Sequence, residues 1–381
     1  MNIPFNKPHL TGKEIDYINQ AIKFEKLSGN GFFTKKCQTF FELRYGFKKT
    51  LLTSSCTDAL EMCAILAEIK EGDEVIIPSF TFVSTAIAFI REGAKVVFGD
   101  SGHYNPNIDA DKIESLVTSR TRAIVVVHYA GIACDMDKIM EVAHKYNLIV
   151  IEDAAQAVDS YHTSKLNGQK PLGAIGHLAA FSFHETKNII SGEGGLLAIN
   201  DDRFIQRSEI IWEKGTNRAE FFRGQVDKYG WVDIGSSFLA SEITAAFLWA
   251  QLEQVEQIQL KRLGIWNTYH DGLKKWAEDN DIKMPFIPNY STNNAHMFFL
   301  ICSSFSQRSR IIDFLESKKI MAVFHYQSLH KSSYFQKKYL PDYELDESDR
   351  YSDTLLRLPL YYDLTSCDTE NIVDALLESL K

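Results

Sequence analysis

The sequence predicts an α/β fold: a mostly parallel central sheet in a large domain, followed by a smaller C-terminal α+β domain. Three observations carry this expectation. Between residues 50 and 200, short β-branched runs alternate with helix-length amphipathic segments. Runs such as AIVVV (123–127) and LIVIE (148–152) are apolar throughout, the pattern of strands buried on both faces. After about residue 200 the pattern changes to a long helical stretch, one further strand and two more helices.

In chain order, strands are expected at 74–77, 95–98, 122–127 and 148–152, and helices at 57–67, 82–91, 109–117 and 135–146. In the last helix Met136, Ile139, Met140 and Ala143 recur at helical spacing and form a buried stripe. Runs at 178–183 and 196–199 flank a Gly-rich turn and join the same sheet. Residues 241–275 read as one long helix with Ile243, Ala246, Phe247, Ala250, Leu252 and Val255 toward the core. A strand at 296–302, a helix at 307–318 and a closing helix at 369–380 make up the smaller domain. The expected division is 1–240 and 241–381, and residues 282–294, with Pro285, Pro288 and several Asn, have linker composition.

Composition excludes several function classes. Of 381 residues, 45% are hydrophobic and 24% charged, so the chain can bury enough apolar surface to fold. Lys plus Arg number 41 against 50 Asp plus Glu, a net −9 that argues against a nucleic-acid partner or a polybasic membrane anchor. No apolar stretch reaches the roughly 18 to 20 residues of a membrane span, and the N-terminus lacks a secretory layout. Cys37, Cys56, Cys63, Cys134, Cys302 and Cys367 are scattered without a Cys-x-x-Cys pair, as expected of reduced thiols in a cytoplasmic protein with no metal centre.

Three segments carry chemistry. In FSFHETKNIISGEGG (181–195), Lys187 follows a buried-strand pattern and precedes a turn containing Gly192, Gly194 and Gly195. A loop lysine is ordinarily a solvated charge. One held at a strand end in a crevice is partly desolvated, which lowers its pKa and suits it to Schiff-base chemistry. The glycines permit positive φ and close backbone approach. In LIVIEDAAQ (148–156), Asp153 follows directly on an apolar strand and projects at the carboxyl edge of the sheet. It reads either as a helix N-cap or as the acidic partner of a pyridinium nitrogen, with Gln156 one turn on reaching the ring hydroxyl. SSCTDAL (54–60) opens a helix, serving as an ordinary cap or as a phosphate site built from backbone N–H groups and Thr57. Asp58 would repel a phosphate if its side chain faced inward. Phe82, in PSFTFVST (78–85), is either a core aromatic or a stacking platform for a cofactor ring.

The order SSCTDAL, PSFTFVST, EDAAQ, FSFHETKN, GEGG resembles the pyridoxal-phosphate sugar aminotransferases of the DegT/DnrJ/EryC/StrS family, from IPFNKPHLTGKEI at the start to RLPLYYDL near the end. The resemblance implies the aspartate aminotransferase (type I) fold and pyridoxal 5'-phosphate as cofactor. It makes Lys187 the cofactor-bearing lysine, Asp153 the partner of the pyridine nitrogen and Gln156 a cofactor contact. Phe82 becomes the stacking aromatic, with Thr57, Asp58 and Ser182 at the phosphate. Many members donate an Asn to the partner subunit's phosphate near the start of the long helix. Here that stretch is GSSFLASE (235–242), so Ser236 or Ser237 takes its place. The family's HY-x-PLH motif at the sugar appears as HYQSLH (325–330), which brings in His325 and Tyr326 and puts Ser328 where Pro is usual.

Residues 213–237 and the phrase AHMFF (295–299) resemble most closely the members that aminate C4 of a dTDP-4-keto-6-deoxyhexose with L-glutamate. The products there are dTDP-4-amino-4,6-dideoxygalactose and 2-oxoglutarate, for surface polysaccharides. Lys214, Arg218, Arg223 and Lys228 lie among Glu220 and Asp227, a run that reads either as a solvated loop or, for Arg218 and Arg223, as a diphosphate contact. His184 is a further candidate at the sugar or the phosphate. The resemblance also implies a homodimer with shared active sites. Two alternatives stay open: the same chemistry on another keto-sugar nucleotide (UDP-linked, aminated at C3, or giving a gluco product), and a non-catalytic pyridoxal-phosphate-binding regulator. The sugar dehydratases of the family carry His in place of the lysine, so Lys187 argues against that branch.

Overall fold

A computed structural model describes residues 2–166, 168–339 and 344–381. Its centre is a seven-stranded sheet: β1 (Lys49–Thr53), β2 (Glu74–Pro78), β3 (Lys95–Gly99), β4 (Thr121–Val127), β5 (Ile149–Asp153), β8 (Leu178–Ser182) and β9 (Gly195–Ile199). Between β5 and β8 runs a hairpin of β6 (Tyr161–Ser164) and β7 (Gly168–Pro171). The spatial order is β1-β9-β8-β5-β4-β2-β3, with every neighbour parallel except around β9, which runs against both β1 and β8. The apolar runs follow from burial on both faces. Ala123 and Val125 of β4 enter one core cluster, and Ile124 and Val126 enter another on the opposite side.

The second, smaller sheet is antiparallel: β10 (Phe298–Ile301), β12 (Leu355–Leu358) and β11 (Val323–Phe324), with β12 in the middle. Alternation along β12 sends Leu356 and Leu358 into a core shared with the helices Val255–Asp279, Phe305–Ser317 and Ser366–Glu378. Arg357 is left on the opposite face. The helix Val255–Asp279 spans both cores, with Val255 and Ile258 against the large sheet and Ile265 to Ala277 against the small one.

Three expectations need correction. The segment 109–117 forms only a 3-10 turn, Ile113–Leu116, because the Asp109 N–H bonds back to the Asp100 carbonyl and Ile108 and Ile113 are both drawn into the core. The helix foreseen at 241–275 is two helices, Glu242–Leu252 and Val255–Asp279. They part at Glu253, whose carboxylate accepts from the Tyr17 hydroxyl at 2.6 Å and from Lys13 at 3.3 Å. The helix foreseen from residue 82 begins at Ser84, leaving Phe82 in the bend before it. Two N-terminal helices, Glu14–Lys23 and Phe32–Tyr45, were not anticipated.

Candidate active site

The segments that follow the carboxyl ends of five parallel strands converge on one cavity of about 680 Å³. Ser55 to Thr57 come after β1, Thr81 to Ser84 after β2 and Val127 ends β4. Asp153 closes β5 ahead of Gln156, and Ser182 closes β8 ahead of Lys187. This is the crevice position expected for a ligand in an open α/β sheet. The far wall is the small sheet and its loops, with His296, Phe324, His325, Tyr326 and Arg357.

Lys187 sits in a loop closed on itself. Phe183 N–H donates to Gly194 O, Ser191 N–H to Phe183 O, and Lys187 N–H to His184 O at 2.9 Å. Burial drives its amine below the ordinary lysine pKa, and the Arg357 cation adds to that effect. Of the three turn glycines only Gly192 uses positive φ (79°). Gly195 is needed for a different reason: a Cβ there would strike the backbone of Ser55 and Cys56. Its absence lets β9 pass directly beside the start of the helix Cys56–Leu66.

That helix start has the free N–H groups that an anion would need. Ser55 caps it by accepting from Asp58 N–H at 3.0 Å. Among the described residues nothing pairs with the N–H groups of Cys56 and Thr57. Thr57 shares a hydrogen bond with Ser84 at 2.8 Å. Asp58 is turned away: its carboxylate accepts from the Ser54 hydroxyl, and it does not line the cavity.

Asp153 closes β5 at the floor of the cavity. Its side chain is 6% exposed, accepting from the Thr85 hydroxyl at 2.7 Å and from Ala155 N–H at 3.2 Å. Desolvation nonetheless raises its pKa, so the carboxylate lacks a full countercharge. A pyridinium nitrogen would supply that charge, so the residues present fit pyridoxal phosphate. Gln156 accepts from Ala130 N–H at 2.6 Å and donates to the Tyr326 hydroxyl at 3.2 Å. Phe82 is 56% exposed at the mouth, tilted against Tyr326.

The far wall contains groups the sequence did not single out. His296 Nδ1 lies 2.9 Å from Asn188 Oδ1. Asn188 Nδ2 donates to the Asn294 carbonyl and to Gln259 Oε1, both at 2.8 Å, and Gln259 Nε2 donates to the Val158 carbonyl. Because carbonyls only accept, both amides have one orientation, and His296 Nδ1 must carry the proton. Its Nε2 lone pair then belongs to the cavity side, and burial holds the ring neutral. His325 is likewise neutral, paired with the Tyr129 hydroxyl at 2.6 Å and stacked on Tyr326, which takes a positive φ of 45°. Arg357 lies within RLPLYYDL and His296 within AHMFF, and the family resemblance of those segments gives neither residue a role. A period-2 reading of β12 would have found Arg357 as the lone charge in LLRL.

Ser182 and His184 line the cavity, His184 bonded to Thr186 at 2.9 Å. Arg218 and Arg223 do not: they are exposed, near Glu213 at 3.7 Å and Glu209 at 2.7 Å. Ser236 and Ser237 are exposed as well and lie outside the cavity lining. Among the described residues no cluster of side chains could hold a metal.

The model of the DegT/DnrJ/EryC1/StrS aminotransferase family matches residues 8–377. The spore coat polysaccharide biosynthesis protein SpsC of Bacillus subtilis (strain 168) is 30% identical over 100% of this chain and 97% of its own length. An aminotransferase from Psychrobacter cryohalolentis superposes with a TM-score of 0.91 at 26% identity, covering 98% of each chain. A proposed sugar aminotransferase of Streptococcus pneumoniae, solved in its PLP form, gives 0.89 at 23% identity over 100% of this chain and 98% of that one. The type I aminotransferase fold is thereby established.

Proposed function

The chain belongs to the DegT/DnrJ/EryC1/StrS aminotransferase family and is a pyridoxal-phosphate-dependent sugar transaminase; from that premise we propose that it moves the amino group of L-glutamate to C4 of a dTDP-4-keto-6-deoxyhexose. The products are 2-oxoglutarate and dTDP-4-amino-4,6-dideoxygalactose, a precursor of surface polysaccharide. The observation that carries the chemistry is the pairing of a depressed lysine with a buried, undercompensated carboxylate across one cavity. The sugar assignment rests on the likeness of residues 213–237 and AHMFF to enzymes of that specificity, and it agrees with a polysaccharide role for SpsC.

Pyridoxal phosphate, when bound, supplies a carbonyl for amine exchange and a ring that accepts carbanion charge. Asp153 keeps the ring nitrogen protonated, and Gln156 and Phe82 fix the ring's orientation. The helix start at Cys56 and Thr57, with Ser182, takes the phosphate. Lys187 Nζ would hold the cofactor and, when free, would move a proton at the reacting carbon as general base. His184, His325 and Tyr326 face the sugar, while Arg218 and Arg223 meet the diphosphate in a homodimer. Support for the dimer is the exposed apolar surface of the neighbouring segment, with Trp231 85% and Phe222 70% exposed. Six free thiols suit a reducing compartment, which we take to be the cytoplasm.

Product NMR after incubation with dTDP-4-keto-6-deoxyglucose and L-glutamate tests this reading. A new amine at C4 in the galacto configuration is expected. An amine at C3, a gluco product, or turnover only with UDP-linked sugars would overturn the specificity.

A further inference from the structure

We propose that His296 recognises the keto sugar by accepting, at Nε2, a hydrogen bond from the hydroxyl beside the carbonyl that is aminated. The inference rests on the C4 reading above, under which that hydroxyl is the one on C3, and adds the residue that selects for it. His296 stands two residues ahead of β10 and is held from several directions. Its backbone N–H donates to Asn294 Oδ1 at 3.0 Å. Arg262 clamps the same stretch by donating to the Ala295 and His296 carbonyls at 3.1 and 2.7 Å. Ala295 is held at a positive φ of 51°, the kind of backbone strain that persists where neighbouring bonds fix a functional side chain. The imidazole itself is tied through Nδ1–H to Asn188, the residue after Lys187, and therefore sits against the Lys187 loop.

What this ring can bind follows from its free nitrogen. Nε2 is unprotonated, belongs to the cavity side and has no partner among the described residues. Burial, and then the charges of Lys187, Arg262 and Arg357, oppose a second proton, so the ring serves as an acceptor and not as an acid. Such an acceptor finds no partner in the carboxylates of L-glutamate, the sugar diphosphate or the keto oxygen, which only accept as well. The ring N–H and hydroxyl of the cofactor fall to Asp153 and Gln156 on the opposite wall. The amines of L-glutamate and of Lys187 take their turns at the reacting carbon. Sugar hydroxyls are the donors left, and the place of His296 against the Lys187 loop selects the one next to the carbon being aminated. A sugar without that hydroxyl leaves the buried acceptor unpaired, which a site shaped for a hydroxyl penalises.

The test takes the holoenzyme in its pyridoxamine 5'-phosphate form and follows the rise of the visible cofactor band as keto sugar is added. The two sugars compared are dTDP-4-keto-6-deoxyglucose and its 3-deoxy analogue, dTDP-4-keto-3,6-dideoxyglucose. Wild type should react with the 3-hydroxy sugar about 30-fold faster at low concentration. His296→Leu, which has no acceptor, should narrow that ratio to below about threefold. His296→Gln, whose amide oxygen can stand where Nε2 stood, should restore part of it. In both variants the response of the lysine-bound cofactor to L-glutamate should stay within about threefold of wild type. Equal rates with the two sugars in the wild type would overturn the proposal, even if neither variant folded. An undiminished ratio in His296→Leu would overturn it too, as would a defect that slows L-glutamate as much as the 3-hydroxy sugar. A wild type inert to both sugars but active on a UDP-linked or 3-keto sugar would overturn the C4 reading itself, and the proposal with it.

Discussion

The two walls of the cavity are built on opposite principles. On the large-sheet wall the polar groups are tied to the protein: Asp153 to Thr85 and Ala155, and Gln156 to Ala130 and Tyr326. One residue earlier, Glu152 is buried on the other face of β5, receiving His128 at 2.8 Å and the N–H groups of Gly173 and Ile175. These bonds hold its carboxyl below the usual range in spite of burial. The small-sheet wall instead directs an unpartnered guanidinium and an imidazole lone pair toward the cavity. Side chains oriented by the fold, beside the open N–H groups of Cys56 and Thr57, suit a resident ligand with a fixed anion, whereas a guanidinium without a partner suits an anion that comes and goes. We therefore propose that the cofactor takes the first wall and the exchanged substrates the second.

The comparison breaks most severely at Lys187. Lys187→Ala should lower turnover by at least about 10³-fold and abolish the visible band of bound cofactor, measured in a coupled 2-oxoglutarate assay. Near-normal activity would remove the premise of both walls. Asp153→Asn keeps the shape and the Thr85 bond but loses the charge. Turnover should fall about 100-fold, the effect of about two pKa units lost at the ring nitrogen, or about 2.7 kcal/mol. Donor and keto-sugar half-reactions should suffer alike, unlike the one-sided effect of His296→Leu.

A pH measurement links the walls. Arg357 opposes protonation of Lys187, so removing its charge raises the lysine pKa. Capture of pyridoxal phosphate by the apoprotein needs the neutral amine, and its pH midpoint should therefore move upward in Arg357→Gln. A downward shift would mean that the two groups do not sense each other. Asn188→Leu probes the support behind the small-sheet wall. It strands the His296 Nδ1–H and the acceptors at Gln259 and Asn294, and should cost about 2 kcal/mol in urea unfolding. A loss below about 0.5 kcal/mol would show that the network is hydrated rather than closed.

The two walls also differ in how far the sequence discloses them. Strand β5 and Asp153 are local: an apolar run buried on both faces ends in one acid, and each feature is visible within nine residues. The same holds for Lys187 and its glycine turn. The small-sheet wall is assembled from residues 296, 325 and 357, whose proximity depends on the pairing of three strands distant in sequence. Even the tautomer of His296 is decided by amides at 188 and 259. No local pattern encodes that. Long-range closure likewise explains why 109–117 fails to become a helix: Ile108 and Ile113 answer to the core rather than to helical spacing.

The smallest expected effect lies in the loop that carries His325 and Tyr326, where HYQSLH puts Ser328 in the place of a proline. Ser328 adopts φ −56°, close to the value a proline ring imposes, with ψ 124°. Its N–H donates to no group among the described residues, and its hydroxyl is buried without a partner. Ser328→Pro therefore removes an unsatisfied polar atom and restricts the unfolded chain, at no cost in native backbone bonds. It should be neutral or stabilising by up to about 1 kcal/mol, with the donor response unchanged. Marked destabilisation, or a changed KM for the keto sugar, would show that the loop depends on the serine hydroxyl rather than on the backbone angle it shares with proline.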